Sequence, residues 1–198
     1  CTGAFHPKIT ILAGENDILL LQGSGNITNG GHGKNHELFT VFYANREDQT
    51  QLPIIQEAWL YLKKLTNNIK GISSEKLEWV SSNCSLLTDI NIQPHQFSEI
   101  DTNFSAALLY NEETSIWQQL KELVPRDSIK NIKVFSPFYD EKGTLLSRLS
   151  AQYNNCTIDA YLQPNRGIHP FKMEEQDKIR FISWESTNRA KETTVKYH

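Results

Sequence analysis

The chain has 198 residues, with 20 Lys and Arg against 23 Asp and Glu and a formal charge of -3 at pH 7, which excludes a basic tail as the basis of function. At 38% hydrophobic and 22% charged residues, it has the apolar content to bury a core, and its length suits one large domain or two small ones. The longest apolar runs, such as Ile18 to Leu21, fall far short of the roughly 18 residues that a membrane-spanning helix needs.

Cys1, Cys84 and Cys156 are widely spaced, odd in number and form no CxxC pair. They support neither a disulfide framework nor a thiolate zinc site. The expectation is a protein of the reducing cytoplasm, with no metal and no cofactor. The chain opens on Cys rather than Met, without a basic and apolar signal stretch, and closes on His198 directly after a strand-like Thr193 to Tyr197. It reads as a fragment cut at both ends.

Lys8 to Leu12 and Asp17 to Leu21 are β-like runs around Gly14-Glu15-Asn16 and predict a hairpin. A third strand is expected over Leu38 to Tyr43. The intervening Gly23 to Gly33 is rich in Gly, Asn and Ser, which favours turns and exposed backbone amides. Ile54, Ile55, Ala58, Trp59, Leu62 and Leu65 recur at helical spacing, with Pro53 in the first turn.

Residues 71–125 read as a connecting β-rich insertion with strands over Leu77 to Val80, Leu86 to Ile92 and Phe104 to Tyr110. A helix follows, opened by a Ser115/Gln118 capping box and stopped at Pro125. From Ile132 the pattern is strand, turn, helix, strand. Ile132 to Phe135 and Thr157 to Leu162 flank a helix bearing Leu145, Leu146, Leu149 and Tyr153, with Asp140 as its cap. This predicts a βαβ unit with parallel strands. Ile179 to Trp184 and Thr193 to Tyr197 extend the sheet.

His6-Pro7-Lys8 sets an imidazole and an ammonium on one face of an extended strand, where a nucleophile and a cation can converge on one phosphate. Taken alone, the triplet is more often an ordinary surface strand start. Gly23-Ser24-Gly25-Asn26-Ile27-Thr28 supplies close backbone approach, hydroxyls and an amide for phosphate oxygens. Glu37, after Asn35 and His36, is placed to hold an imidazole in one tautomer. His32 and His36 flank the loop. His95 and His169 neighbour prolines without ligand-spaced partners, so they suggest no metal. Lys63, Lys64, Arg126, Lys130 and Lys133 are candidates for a phosphate groove. Trp59 and Trp117 are expected in the core.

In combination, His6, Lys8, Gly23, Ser24 and Asn26, followed by Asn35 and Glu37, resemble the phospholipase D superfamily, whose signature is HxK, a spacer containing Asp, and GSxN, often with a downstream NxE. The position of the spacer Asp is Ala13, and Asp17 is the nearest stand-in. Phe135 to Asp140, with Gly143, Leu145, Leu146 and Leu149, is similar to the opening strand and helix of another lobe of that family. The resemblance implies an α/β fold of phospholipase D-like lobes, each a mixed sheet flanked by helices. Residues 1–70 would end a first lobe, 71–125 would connect, and 126–198 would begin a second.

The family cleaves phosphodiesters without metal, using two facing HxK histidines, one attacking phosphorus and one protonating the leaving oxygen. By that resemblance, His6 is nucleophile or acid, Glu37 orients it, and Lys8, Ser24 and Asn26 bind the phosphoryl oxygens. His198 begins the second HxK; otherwise a homodimer completes the site from two copies of His6. The implied function is a bacterial-type phosphodiesterase acting on nucleic acid, with no membrane partner. The alternatives are a catalytically silent module that binds nucleic acid or protein, and a lipid phosphodiesterase.

Overall fold

The computed structural model describes residues 7–29, 37–67, 73–136, 138–162, 168–174 and 176–183. The chain divides into two compact units, Cys1–Ile116 and Trp117–His198. The architecture is mixed α/β, and each unit builds its own core.

In the first unit, β1 (Ile9–Ala13), β2 (Asp17–Gly23) and β3 (Phe39–Asn45) form an antiparallel sheet in sequential order. Alternation along the strands turns Ile18 and Leu20 of β2 and Phe42 and Ala44 of β3 inward, and the register sets Ile18 opposite Ala44 and Leu20 opposite Phe42. Asn45 closes β3 with an Asx turn, its Oδ1 accepting the amides of Glu47 and Asp48.

Helix α1 (Leu52–Asn67) then lays Ile54, Ile55, Ala58 and Trp59 against β2 and β3. Each fully buried aliphatic or aromatic side chain contributes about 1.5–3 kcal/mol, so this stripe is the main support of the sheet.

Residues 71–125 depart from the β-rich reading. Leu77 to Val80 lies inside a helix, α2 (Ser73–Asn83), which packs on α1 through a Trp59 Nε1 to Ser81 Oγ hydrogen bond of 3.1 Å and a Lys63–Glu78 ion pair of 2.9 Å. Ser85 to Leu87 form a 3-10 turn rather than a strand, and Asp89, with φ of 50°, breaks extension beyond it. Only Phe104–Ala106 of the expected third run is a strand, β5, paired antiparallel with β4 (Ser98–Asp101). Cys84, Leu86, Leu87 and Leu108 join the core of the first unit.

The second unit holds α3 from Trp117 of the helix Ile116–Leu123, then β6 (Asn131–Phe135), α4 (Thr144–Gln152), β7 (Thr157–Leu162) and β8 (Ile179–Ser183). The first amide of α3 donates to Asn111 Oδ1, and Gln118 Nε2 reaches Glu122, one turn on. Strands β6, β7 and β8 are parallel in sequential order, as the βαβ pattern predicts. Leu146 and Leu149 of α4 pack on Ile158, Ala160 and Ile179, with Trp117 and Val124 against the same cluster. Gly143 takes the cap position with φ of 57°, while the Asp140 carboxylate accepts from the Thr144 amide at 2.9 Å and its hydroxyl at 2.8 Å.

The single kind of mixed sheet expected for each lobe is not what the described residues form: they make one antiparallel sheet, one short hairpin and one parallel sheet. No helix among them is long and apolar enough to cross a membrane. The expected strand Thr193 to Tyr197 lies outside the described residues.

Candidate functional site

Sheet register brings the distant candidate residues to one end of the first unit. Pairing of Ile9 with Gln22 sets Lys8 beside Gly23, whose amide donates to the Lys8 carbonyl at 3.3 Å. Pairing of Gly23 with Phe39 brings Glu37 and Leu38 alongside Ser24. The end of β2 therefore gathers residue 8, residues 23 to 26 and residue 37 from three separate stretches of chain. Gly23 is required by this approach, because a Cβ there would lie 2.2 Å from the Leu38 carbonyl oxygen.

Ser24 is the junction of the arrangement. Its amide donates to the Leu38 carbonyl at 3.1 Å, its hydroxyl oxygen accepts the Leu38 amide at 3.2 Å, and its hydroxyl proton goes to Glu37 Oε2 at 2.5 Å. A serine hydroxyl has one proton. In the folded chain that proton is committed to Glu37, so Ser24 fixes the carboxylate rather than presenting a donor outward.

Beyond Ser24 the chain turns tightly, with the Thr28 amide donating to the Asn26 carbonyl at 2.8 Å. Asn26 and Lys8 border a cleft of about 120 Å³ whose other walls are Pro7, Ile9, Thr10, Gly25, Ile27 and Phe39. Lys8 is half-buried and Asn26 exposed. The cleft is thus lined by Lys8, Asn26 and Thr10 together with apolar side chains. That combination suits an anion attached to an organic group.

His6, His32, Asn35, His36 and His198 lie outside the described residues. Asp17, the nearest stand-in for the motif acid, sits at the hairpin end of β2, next to Ile18, which pairs with Ala13, and opposite Asn45; its carboxylate lies against Gly14 in the hairpin turn.

Two lysines proposed for a phosphate groove have other engagements: Lys63 pairs with Glu78 at 2.9 Å and Lys64 with Glu112 at 2.6 Å. Arg126 reaches the Ala151 carbonyl at 3.4 Å, and Lys130 and Lys133 are exposed in the second unit. His169 lies against the Phe181 ring at 4.2 Å.

A second polar cluster of the first unit was missed by the reading of motifs. Glu57 is 3% exposed and accepts the His95 amide at 2.7 Å. The signal was present in the helix pattern, since Glu57 falls on the apolar face between Ile54 and Tyr61, where a carboxylate needs a partner. Burial pushes the Glu57 carboxyl above its ordinary value, an effect partly offset by the His95 amide and ring. No cluster of three or more His, Cys, Asp or Glu suited to a metal occurs among the described residues.

Comparison of the chain with protein-family profiles, curated proteins and solved structures found no match.

Proposed function

We propose that the chain is part of a phospholipase D-like, metal-independent phosphodiesterase that acts on nucleic acid through a covalent phosphohistidine. The observation that supports the reading is the convergence of Lys8, Asn26 and a Ser24-anchored Glu37 at one end of a three-stranded sheet.

In this mechanism an imidazole nitrogen of His6 attacks phosphorus while the bond to the leaving oxygen breaks. A second histidine, that of an HxK beginning at His198 or His6 of a second copy, gives its proton to the leaving oxygen. Water deprotonated by that histidine then attacks the phosphohistidine, forming a new P–O bond and releasing the His6 nitrogen. Lys8 and Asn26 neutralise and hold the phosphoryl oxygens as charge builds in the transition state. Glu37, fixed by Ser24, holds His6 in the reactive tautomer. The lobes of this fold would be residues 1–70 and 126–198, joined through 71–125.

The preference for nucleic acid over lipid draws on the resemblance of Gly23-Ser24-Gly25-Asn26, followed by Asn35 and Glu37, to the nuclease and helicase-associated branch of the superfamily. A second reading, a catalytically silent module that binds nucleic acid or protein, draws on Ala13 at the motif acid position.

The deciding experiment is hydrolysis of an aryl phosphodiester and of single- and double-stranded DNA by the full-length protein in EDTA, beside His6→Ala. Activity that survives EDTA and disappears in the variant supports the enzyme. A folded, inactive protein that still binds DNA supports the module, and activity indifferent to His6→Ala overturns the site.

A further inference from the structure

The Glu57 cluster lies apart from the residues used above and joins two stretches of chain separated by 38 residues. Glu57 Oε1 accepts the His95 amide at 2.7 Å, and His95 Nδ1 lies 3.4 Å from the same oxygen and 3.3 Å from the Leu108 carbonyl oxygen. Nδ1 is the ring nitrogen nearest the buried Glu57 carboxyl group.

The backbone of His95 supports the same contact. Its φ of 58° is left-handed, a conformation that Asn, Asp and His tolerate better than other side chains bearing a Cβ. The twist aims both the amide and the ring of one residue at α1, immediately before hairpin β4–β5 and its inward-facing Ile100 and Ala106.

The charged and titratable surroundings come from α1 and from the segment after β5. The Tyr110 ring lies 4.5 Å from the His95 ring and 4.3 Å from that of Tyr61, and Glu112 beyond them pairs with Lys64 at 2.6 Å. Glu112 thus has a permanent counter-charge. Among the described residues, the ion-pair partner of Glu57 is the His95 ring, charged only when protonated. The cluster favours protonated forms: burial raises Glu57 and Tyr61, and burial with the charges of Glu57 and Glu112 pushes Tyr110 up to about 12.

We propose that Glu57 and His95 form a proton-operated clasp, which pins the turn before β4 to α1 while the pair holds a proton and releases that turn with the hairpin when the proton leaves to solvent. The sign follows from burial. A carboxyl that binds its proton more tightly in the folded chain contributes fully below its unfolded value of about 4.3, and that contribution declines as pH rises through the folded value.

The test is hydrogen–deuterium exchange of the full chain from about pH 5 to about pH 8, corrected for intrinsic exchange. Protection over residues 95–108 is expected to fall with rising pH by up to about tenfold per unit while one proton leaves, and protection of α1 to change less. His95→Asn keeps the left-handed backbone and the amide donor but removes the titrating ring, and Glu57→Gln removes the charge; each is expected to flatten the profile. A wild-type profile flat across the range, or a His95→Asn profile with the wild-type slope, overturns the clasp. Should neither variant fold, an NMR titration of the wild-type His95 ring decides. Its midpoint must coincide with the loss of protection, and a separation of the two overturns the proposal.

Discussion

Ser24 and Glu37, thirteen positions apart in the chain, are joined by a hydrogen bond of 2.5 Å from the serine hydroxyl to Oε2. The same hydroxyl oxygen accepts the Leu38 amide, and the Ser24 amide returns a bond to the Leu38 carbonyl. A hydroxyl held by a backbone donor has little rotational freedom, so its proton direction is defined before any substrate arrives. The carboxylate is therefore positioned by the sheet itself, through residues that continue β2 and precede β3.

On the proposed phosphodiesterase reading, the first prediction is that Ser24→Ala weakens catalysis through Glu37. Because Ser24 is exposed, the variant should lose about 1 kcal/mol or less of stability. The expected kinetic change is a fall in kcat of about tenfold or more, a share of the roughly 10²–10⁴ that a positioned acid–base group supplies, with KM little altered. Ser24→Thr retains the hydroxyl and should restore most of the rate. A rise in KM alone would instead make Ser24 a ligand of the substrate.

Gly23→Ala should destabilise the first unit. Its Cβ would meet the Leu38 carbonyl oxygen at 2.2 Å and the Phe39 ring at 2.7 Å, and a backbone oxygen cannot yield without breaking the β2–β3 register. Overpacking of this kind costs about 1–3 kcal/mol. Gly14→Ala is the control, since a Cβ there meets first the end of the Asp17 side chain, also at 2.2 Å, which can swing aside. Denaturant unfolding of both variants should show the larger loss at Gly23, and equal losses would contradict the close-approach argument.

Long elements with a clear period were legible. Helix α1 carried its 3.6-residue stripe over four turns, strand β7 spans the expected Thr157–Leu162, and hairpin β1–β2 follows from the turn residues between two apolar runs. Helix α2 was not legible from Leu77 to Val80, because four residues do not distinguish a strand from one helical turn. Its partly buried Leu77 and Val80 stand three apart on one face, while Trp79 is 68% exposed. Leu86 and Leu87 signalled burial correctly, and the left-handed Asp89 that ends extension leaves no mark in an apolar pattern. At the candidate site, residue types were readable in order. The Ser24–Glu37 and Glu57–His95 contacts were not, because they depend on how distant segments meet rather than on any local period.

Tyr153 offers a test in the second unit. The residue is 2% exposed, and its hydroxyl is buried without a hydrogen-bond partner among the described residues. An unpaired buried hydroxyl costs free energy that a phenylalanine of the same shape avoids. Tyr153→Phe should leave the unit equally stable or stabilise it by about 1 kcal/mol. A clear loss in chemical denaturation would show that the hydroxyl has a partner.

The final prediction concerns acid. The Thr144 hydroxyl, followed by the amides of Thr144 and Lys142, holds the Asp140 carboxyl below its ordinary value. A carboxyl depressed in the folded chain contributes stability that is present above its unfolded value of about 3.9 and is lost as pH falls through the folded value. Asp140→Asn keeps the shape and a carbonyl acceptor but removes the charge that strengthens bonds at the start of α4. The variant should therefore melt below wild type at neutral pH, and the gap should close toward the acid end of a pH series of thermal melts. A gap that stays constant down to acid would mean that Asp140 supports α4 by shape alone, with its ionisation unlinked to folding.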